Sequence, residues 1–139
     1  MIVRDFGIEV FDLWTAMWNG ELELAERIMA PRFTLRYAQP GAVAYDAIHD
    51  PAAFARQIAE FRRSMPGLRF EVQGDAVVDL GEGRTGLVAR PYGACRPGAD
   101  GDVRVSGTDI LRLDAGLIVE VWSVSGGLHG RPYYPATAA

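Results

Sequence analysis

The chain has no lysine, a single cysteine and two histidines among its 139 residues. Without lysine, Schiff-base chemistry and lysine nucleophiles are excluded. Cys95 has no second cysteine to form a disulfide with. With only His49 and His129 beside it there is no cluster at metal-ligand spacing, so no metal site is expected. Gly81-Glu82-Gly83 lacks the following helix and the lysine of a phosphate-binding loop, which leaves nucleotide binding without support, and no cofactor is implied. No apolar run approaches the roughly 18 residues a membrane span needs. The N-terminus, with Arg4, Asp5 and Glu9 in a short apolar pattern, lacks a signal-peptide core. A soluble cytoplasmic protein with no membrane partner is the expectation. The net charge of −4 opposes capture by nucleic acid, and the 14 basic residues, all arginine, are scattered rather than clustered.

What is present is apolar content of 49% with no low-complexity tract or internal repeat, enough for one compact domain over residues 1–139. Apolar residues at Phe6, Val10, Leu13, Trp14 and Met17 have helical spacing, and Asn19-Gly20 ends that run. A second short helix carries Leu22, Leu24, Ala25, Ile28 and Met29 and is expected to stop at Pro31. Phe33, Leu35 and Tyr37 alternate with polar residues as a first strand. Asp50-Pro51 reads as a cap and first position of a third helix, whose stripe is Phe54, Ile58, Phe61 and Met65. Four strand-like stretches follow, Leu68 to Leu80, Arg84 to Cys95, Val103 to Asp114 and Leu117 to Val124, which can pair as an antiparallel meander. The order implies an α+β fold, a curved antiparallel sheet wrapped around helices and enclosing a pocket.

One residue breaks the strand pattern. At period two, Val103, Val105, Leu111 and Leu113 share a face with Asp109, whereas Arg104, Ser106, Thr108, Arg112 and Asp114 share the other. A carboxylate among core residues either pairs or raises its pKa and holds a proton, the condition under which it serves as a general acid or base. The alternative is a structural aspartate, paired with an arginine or capping a loop.

The segment Asp50 to Val72 and the hairpin Gly-x-Asp-Ile-x-Arg-Leu-Asp-x-Gly-x-Ile-x-Glu-x-Trp from Gly107 to Trp122 resemble those of the SnoaL-like polyketide cyclases. These belong to the nuclear-transport-factor-like superfamily, with ketosteroid isomerase and limonene-epoxide hydrolase. The resemblance spans roughly Asp5 to Val124, leaving residues 125–139 as an atypical tail. It implies a cone-shaped sheet, and it implies that Asp109 is the acid/base moving a proton during an intramolecular aldol closure. It also puts Cys95 near a position where such cyclases carry a histidine. A thiol with an ordinary pKa of about 8.5 is a poor proton shuttle, so either the partner lies elsewhere or the reaction differs. Cys95 as a small apolar strand residue is the plainer reading. The steroid-isomerase base would fall on Tyr37 and its oxyanion tyrosine near Leu13, which disfavours that reaction. The epoxide-hydrolase triad would need an arginine at Gly107 and an aspartate after Trp122.

Further pocket candidates are Tyr37, inward by parity with Phe33 and Leu35, and Trp14 and Trp122, flat surfaces for an aromatic ligand, with Trp18 a weaker one. Tyr45 and His49 lie on the segment leading into the third helix, and His129 lies in the glycine-rich tail. That tail is free to close the pocket mouth, contribute His129 or Tyr133, or lie on a partner subunit. Arg90 and Tyr92 have parity opposite to Leu87, Ala89 and Cys95 and are assigned to the outer sheet face, which in the resembling proteins often packs on a second subunit. A homodimer is therefore expected. The leading functional expectation is a cofactor-free cyclase or isomerase acting on a small hydrophobic, oxygenated, aromatic or polyketide-like substrate. A noncatalytic ligand-binding or protein-interaction module, and an epoxide-opening cyclase, are the alternatives.

Overall fold

Val10, Phe11, Trp14, Met17 and Trp18 recur at three- and four-residue spacing and form the buried face of the first helix, α1 (Val3–Trp18), in the computed structural model of the chain, which describes residues 2–134. The Asn19 carboxamide donates to the Phe70 carbonyl at 2.9 Å and accepts the Phe70 amide at 2.7 Å, pinning the end of α1 to the sheet. Helix α2 (Leu24–Ile28) runs directly into strand β1 (Met29–Tyr37). The helix thus ends before Pro31, which lies inside β1. That strand is at the sheet edge, where a missing N–H is tolerated.

Helix α3 (Pro51–Ser64) begins as its sequence dictates, with the Asp50 carboxylate accepting from the Ala53 amide at 3.1 Å and proline in its first turn. Phe54 and Ile58 are fully buried beneath it. Arg62 near its end donates to the carbonyls of Trp18 and Leu68, each at 2.8 Å, tying α3 to α1 and to the chain entering the sheet.

The strands β2 (Arg69–Val72), β3 (Val77–Leu80), β4 (Gly86–Gly98), β5 (Gly101–Asp114) and β6 (Leu117–Ser125) join β1 in one sheet of order β1-β6-β5-β4-β2, with β3 also on β4. Two expectations are corrected. The stretch from Leu68 to Leu80 is two strands, broken around Gly74, whose φ of +61° is left-handed; both pieces pair along the same edge of β4. The meander is antiparallel from β2 to β6, but β1 pairs with β6 in parallel. The β1 and β2 ends do not pair, so the sheet is curved and unclosed, with the helices in its concavity: an α+β fold. Phe11, Val88, Leu111, Leu113, Ile118 and Val121 are completely buried between the layers. No helix among the described residues is long and apolar enough to cross a membrane.

Candidate functional site

Asp109 sits in the middle of β5 with the inward parity its neighbours dictate, 6% exposed. The Trp14 indole of α1 donates its Nε1–H to Asp109 Oδ2 at 2.9 Å. Oδ1 is buried and accepts no hydrogen bond among the described residues. Burial raises the Asp109 pKa from 3.8 to about 6, against the opposing pull of the Ser123 hydroxyl across the ladder and of Trp14. The Ser123 hydroxyl favours the charged form from close by without completing a bond to Oδ1.

Arg90 is directly opposite Asp109 in the β4–β5 register but does not pair with it. Its Nε donates to the Gly74 carbonyl at 3.0 Å, and its Nη1 lies 3.8 Å from Asp12. Among the described residues Asp109 has no ion-pair partner. Its charged form is stabilised only by neutral donors.

In front of Asp109, between the sheet and the helices, lies a cavity of about 330 Å³. Its wall is aromatic because α1, α3 and β1 each turn rings inward. Trp18 packs within 6.3 Å of Trp14, Tyr37, Tyr45, Phe61 and Phe70, and the Tyr37 and Tyr45 rings stack at 4.5 Å. Burial raises the hydroxyl pKa of Tyr37 well above 10, with Asp109 adding to the rise, and pushes that of Tyr45 up to about 12. Both are neutral hydrogen-bond donors throughout the ordinary pH range. Gln39 also lines the cavity, with a buried Oε1 that has no hydrogen-bond partner among the described residues.

Arg90, opposite Asp109 in the register, has the inward parity rather than the outer one expected of it, and so does Tyr92. Tyr92 faces inward and lines the cavity, as do Ala94 and Arg96 on the same strand. Its hydroxyl lies beside Ser123 and Ser125, and its pKa is raised by burial first and then by Asp109. Gly107, opposite Tyr92 in the register, makes this possible: a Cβ there would stand 2.4 Å from the Tyr92 hydroxyl oxygen and 2.7 Å from the Val124 carbonyl. A glycine on the inward face of a strand is the sequence signal of such a close approach.

The same parity places Cys95 on the outer face, away from the cavity, opposite Arg104 and Arg69. Trp122 also points outward, 36% exposed, because its neighbours Val121 and Ser123 are the buried ones. His49 is outside the cavity with its Nδ1 2.9 Å from the Phe33 carbonyl oxygen. His129 is exposed in a short 3-10 turn (Gly127–His129), whereas its neighbours Gly127 and Leu128 line the cavity. Trp14, Tyr37, Tyr45 and Asp109 are thus brought together, and Trp122, Cys95, His49 and His129 are not.

After the 3-10 turn the tail runs along β5 beyond the end of β6. The Ser106 amide donates to the Arg131 carbonyl at 3.0 Å, the Tyr133 amide donates to the Ser106 hydroxyl at 2.9 Å, and the Tyr133 and Thr108 hydroxyls are 2.9 Å apart. Tyr133 is therefore on the outer face; residues 135–139 of the tail lie outside the described residues.

Residues 10–121 match the SnoaL-like domain family. No curated protein matches the sequence. Among solved structures, the chain is similar to a proposed polyketide cyclase from Acidithiobacillus ferrooxidans, with 18% identity over 92% of this chain and 93% of that one and a TM-score of 0.72. It is also similar to a proposed isomerase of the SnoaL-like family from Agrobacterium tumefaciens (22% identity, 88% and 99% covered, TM-score 0.66). A third neighbour is IdmH, a proposed polyketide cyclase from Streptomyces antibioticus (19%, 86% and 91%, 0.67). At these identities the likeness is one of fold; the domain match covers most of the chain, which belongs to the SnoaL-like family.

Proposed function

We propose that this protein is a cofactor-independent cyclase or isomerase that moves a proton on a hydrophobic, carbonyl-rich, aromatic or polyketide-like substrate, with Asp109 as the acid/base. The observation that carries the reading is the division of labour between the Asp109 oxygens. Oδ2 is held by Trp14, while Oδ1 is buried beside an aromatic cavity with no hydrogen-bond partner among the described residues. A pKa near 6 suits a group that must both take and return a proton near neutrality.

In an aldol closure, ionised Asp109 takes the proton from a carbon between two carbonyls, and the electron pair moves onto the carbonyl oxygen as an enolate. The Tyr92 or Tyr37 hydroxyl donates to that oxygen. The enolate carbon then bonds to a second carbonyl carbon of the same molecule, and the resulting alkoxide recovers the proton from Asp109. Substrate and product are isomers, so nothing else is consumed. The aromatic wall folds the chain of the substrate so that the two reacting carbons meet. We further propose that the enzyme is a homodimer. Support comes from the outer rung Ala89, Ile110 and Trp122, which with the exposed Val124 forms an apolar stripe on the sheet.

The test is incubation with linear and partly cyclised aromatic poly-ketones, with mass spectrometry following loss of substrate into a product of unchanged mass. Wild type should convert at least one of them, and Asp109→Asn should be slower by roughly 10²–10⁴-fold while still binding it. Tight binding without turnover, unaltered by Asp109→Asn, would make the protein a binding module. Turnover of hydroxy-epoxides alone would replace aldol closure with epoxide opening.

A further inference from the structure

Two charged side chains line the cavity among the described residues, Asp109 and Arg96, and the proposed reaction uses only the first. Arg96 belongs to β4, six residues along from the rung that faces Asp109, where it pairs with Val103 of β5. At a rise of about 3.3 Å per residue this sets the two rungs at most roughly 20 Å apart along the strands. Arg96 also borders a surface depression lined by Met65, Pro66 and Gly67, so one flank of it lines the cavity and another faces the surface.

Its surroundings on the cavity side are apolar: Met65, Leu68, Ala94, Val103 and Val105. It is partly buried, yet no hydrogen bond or ion pair engages its guanidinium among the described residues. Arg69 and Arg104, flanking Cys95 on the opposite face, add positive charge nearby and are likewise without ion-pair partners among the described residues. The acidic residues of the hairpin, Asp100 at its turn and Asp102 opposite Pro97, are exposed and form no ion pair with any of them. A cation held against an apolar wall favours an anion that comes out of water with it, and the planar fork of arginine matches a carboxylate with two parallel bonds.

We infer that Arg96 is a carboxylate-binding subsite on the cavity wall, and that the substrate is an elongated acid whose carbonyl end reaches Asp109 while its carboxylate stays at Arg96. The rung separation of at most roughly 20 Å is an upper bound on the span between them, and an arginine side chain leaning along the strand shortens it to a length that two to three fused rings or a folded poly-ketone acid can cover. The inference rests on the reading of the cavity as an aromatic substrate site. It adds the charge of the substrate and the direction in which it lies.

The probes are anthraquinone-2-carboxylate and its methyl ester, titrated against wild type, Arg96→Gln and Arg96→Lys by quenching of tryptophan emission at pH 8. The acid is expected to bind wild type at least about tenfold more tightly than the ester, as a charged hydrogen-bonded pair gives. In Arg96→Gln the acid should fall to the affinity of the ester, which itself stays within about twofold of wild type; Arg96→Lys should keep part of the preference. Equal affinities of acid and ester for wild type would overturn the subsite and leave the proposed function standing. Equal losses of both probes in Arg96→Gln would also overturn it, as the mark of a packing role. If neither probe binds wild type, both the subsite and the aromatic-cavity reading fall. Should Arg96→Gln not fold, as judged by its thermal melt, the acid-to-ester ratio of wild type decides alone.

Discussion

The Trp14 indole nitrogen and Asp109 Oδ2 are 2.9 Å apart across the helix–sheet interface, although 95 residues separate them in sequence. This neutral donor fixes one oxygen of the carboxyl without neutralising it, whereas an arginine in its place would hold the group permanently ionised. The consequence should be visible in Trp14→Phe. Losing the donor raises the Asp109 pKa above about 6, so the low-pH limb of the activity profile moves to higher pH. The variant should also lose about 1 kcal/mol or more of stability. Carbon-detected titration of the carboxyl measures the shift directly; a limb that stays in place would detach Asp109 from the rate.

The raised pKa also has a thermodynamic sign. Between 3.8 and about 6 the folded protein keeps a proton that the unfolded chain has released, so stability falls as pH rises through that window. Below it neither state is charged at Asp109; above it a penalty of about 3 kcal/mol stands in full. Asp109→Asn cannot ionise. Its stability relative to wild type should therefore improve by about 2–3 kcal/mol between about pH 4 and pH 8, as read from urea unfolding at both values. Parallel pH dependences would mean that the carboxyl is not desolvated.

Gly107 and Tyr92 form a second dependent pair. In Gly107→Ala the new methyl meets both the phenol and the Val124 carbonyl. Because the second of these is backbone, repacking the ring alone does not relieve the clash. A loss of about 1–3 kcal/mol is expected, with turnover falling alongside. Tyr92→Phe keeps the ring and removes only the hydroxyl. It should keep wild-type stability within about 1 kcal/mol and lose roughly 10²–10³-fold in kcat with KM little changed if Tyr92 is the oxyanion donor. An unchanged kcat would assign that part to Tyr37.

On the outer face, Trp122→Glu introduces a charge into the apolar stripe while leaving the cavity wall untouched. Sedimentation should show that the proposed dimer dissociates, with affinity for cavity ligands kept within about twofold, since burying an unpaired charge at an interface is far costlier than exposing it. A wild-type protein that sediments as a monomer at micromolar concentration would remove the dimer from the picture.

Asp109 was legible in the sequence because β5 is a regular strand with one face in the core, and period two carries its parity without ambiguity. The parity of β4 misled. Leu87, Ala89 and Cys95 look like a core face, yet Leu87 is 39% exposed and the buried residue is Val88. Arg90 reads as a solvent residue only until the Gly74 carbonyl and Asp12 are in place, and both come from elsewhere in the chain. Trp18 was underrated for a similar reason: rings from α1, α3, β1 and β2 converge on it, and no single segment reveals that crowding. The N-terminal cap of α3 is local and legible in Asp50-Pro51, whereas the parallel pairing of β1 with β6 joins strands about ninety residues apart and leaves no local trace.

The SnoaL-like domain match ends at Val121, yet Ser123, Ser125, Gly127 and Leu128 all line the cavity. Part of the ligand-facing surface is thus carried by the last strand and the turn after it, downstream of nearly all the residues that build the sheet and its helices. Changes there can reshape the cavity while the scaffold stays as it is. A graft of this short C-terminal piece onto another chain of the same fold would exchange part of the cavity wall and leave the scaffold in place.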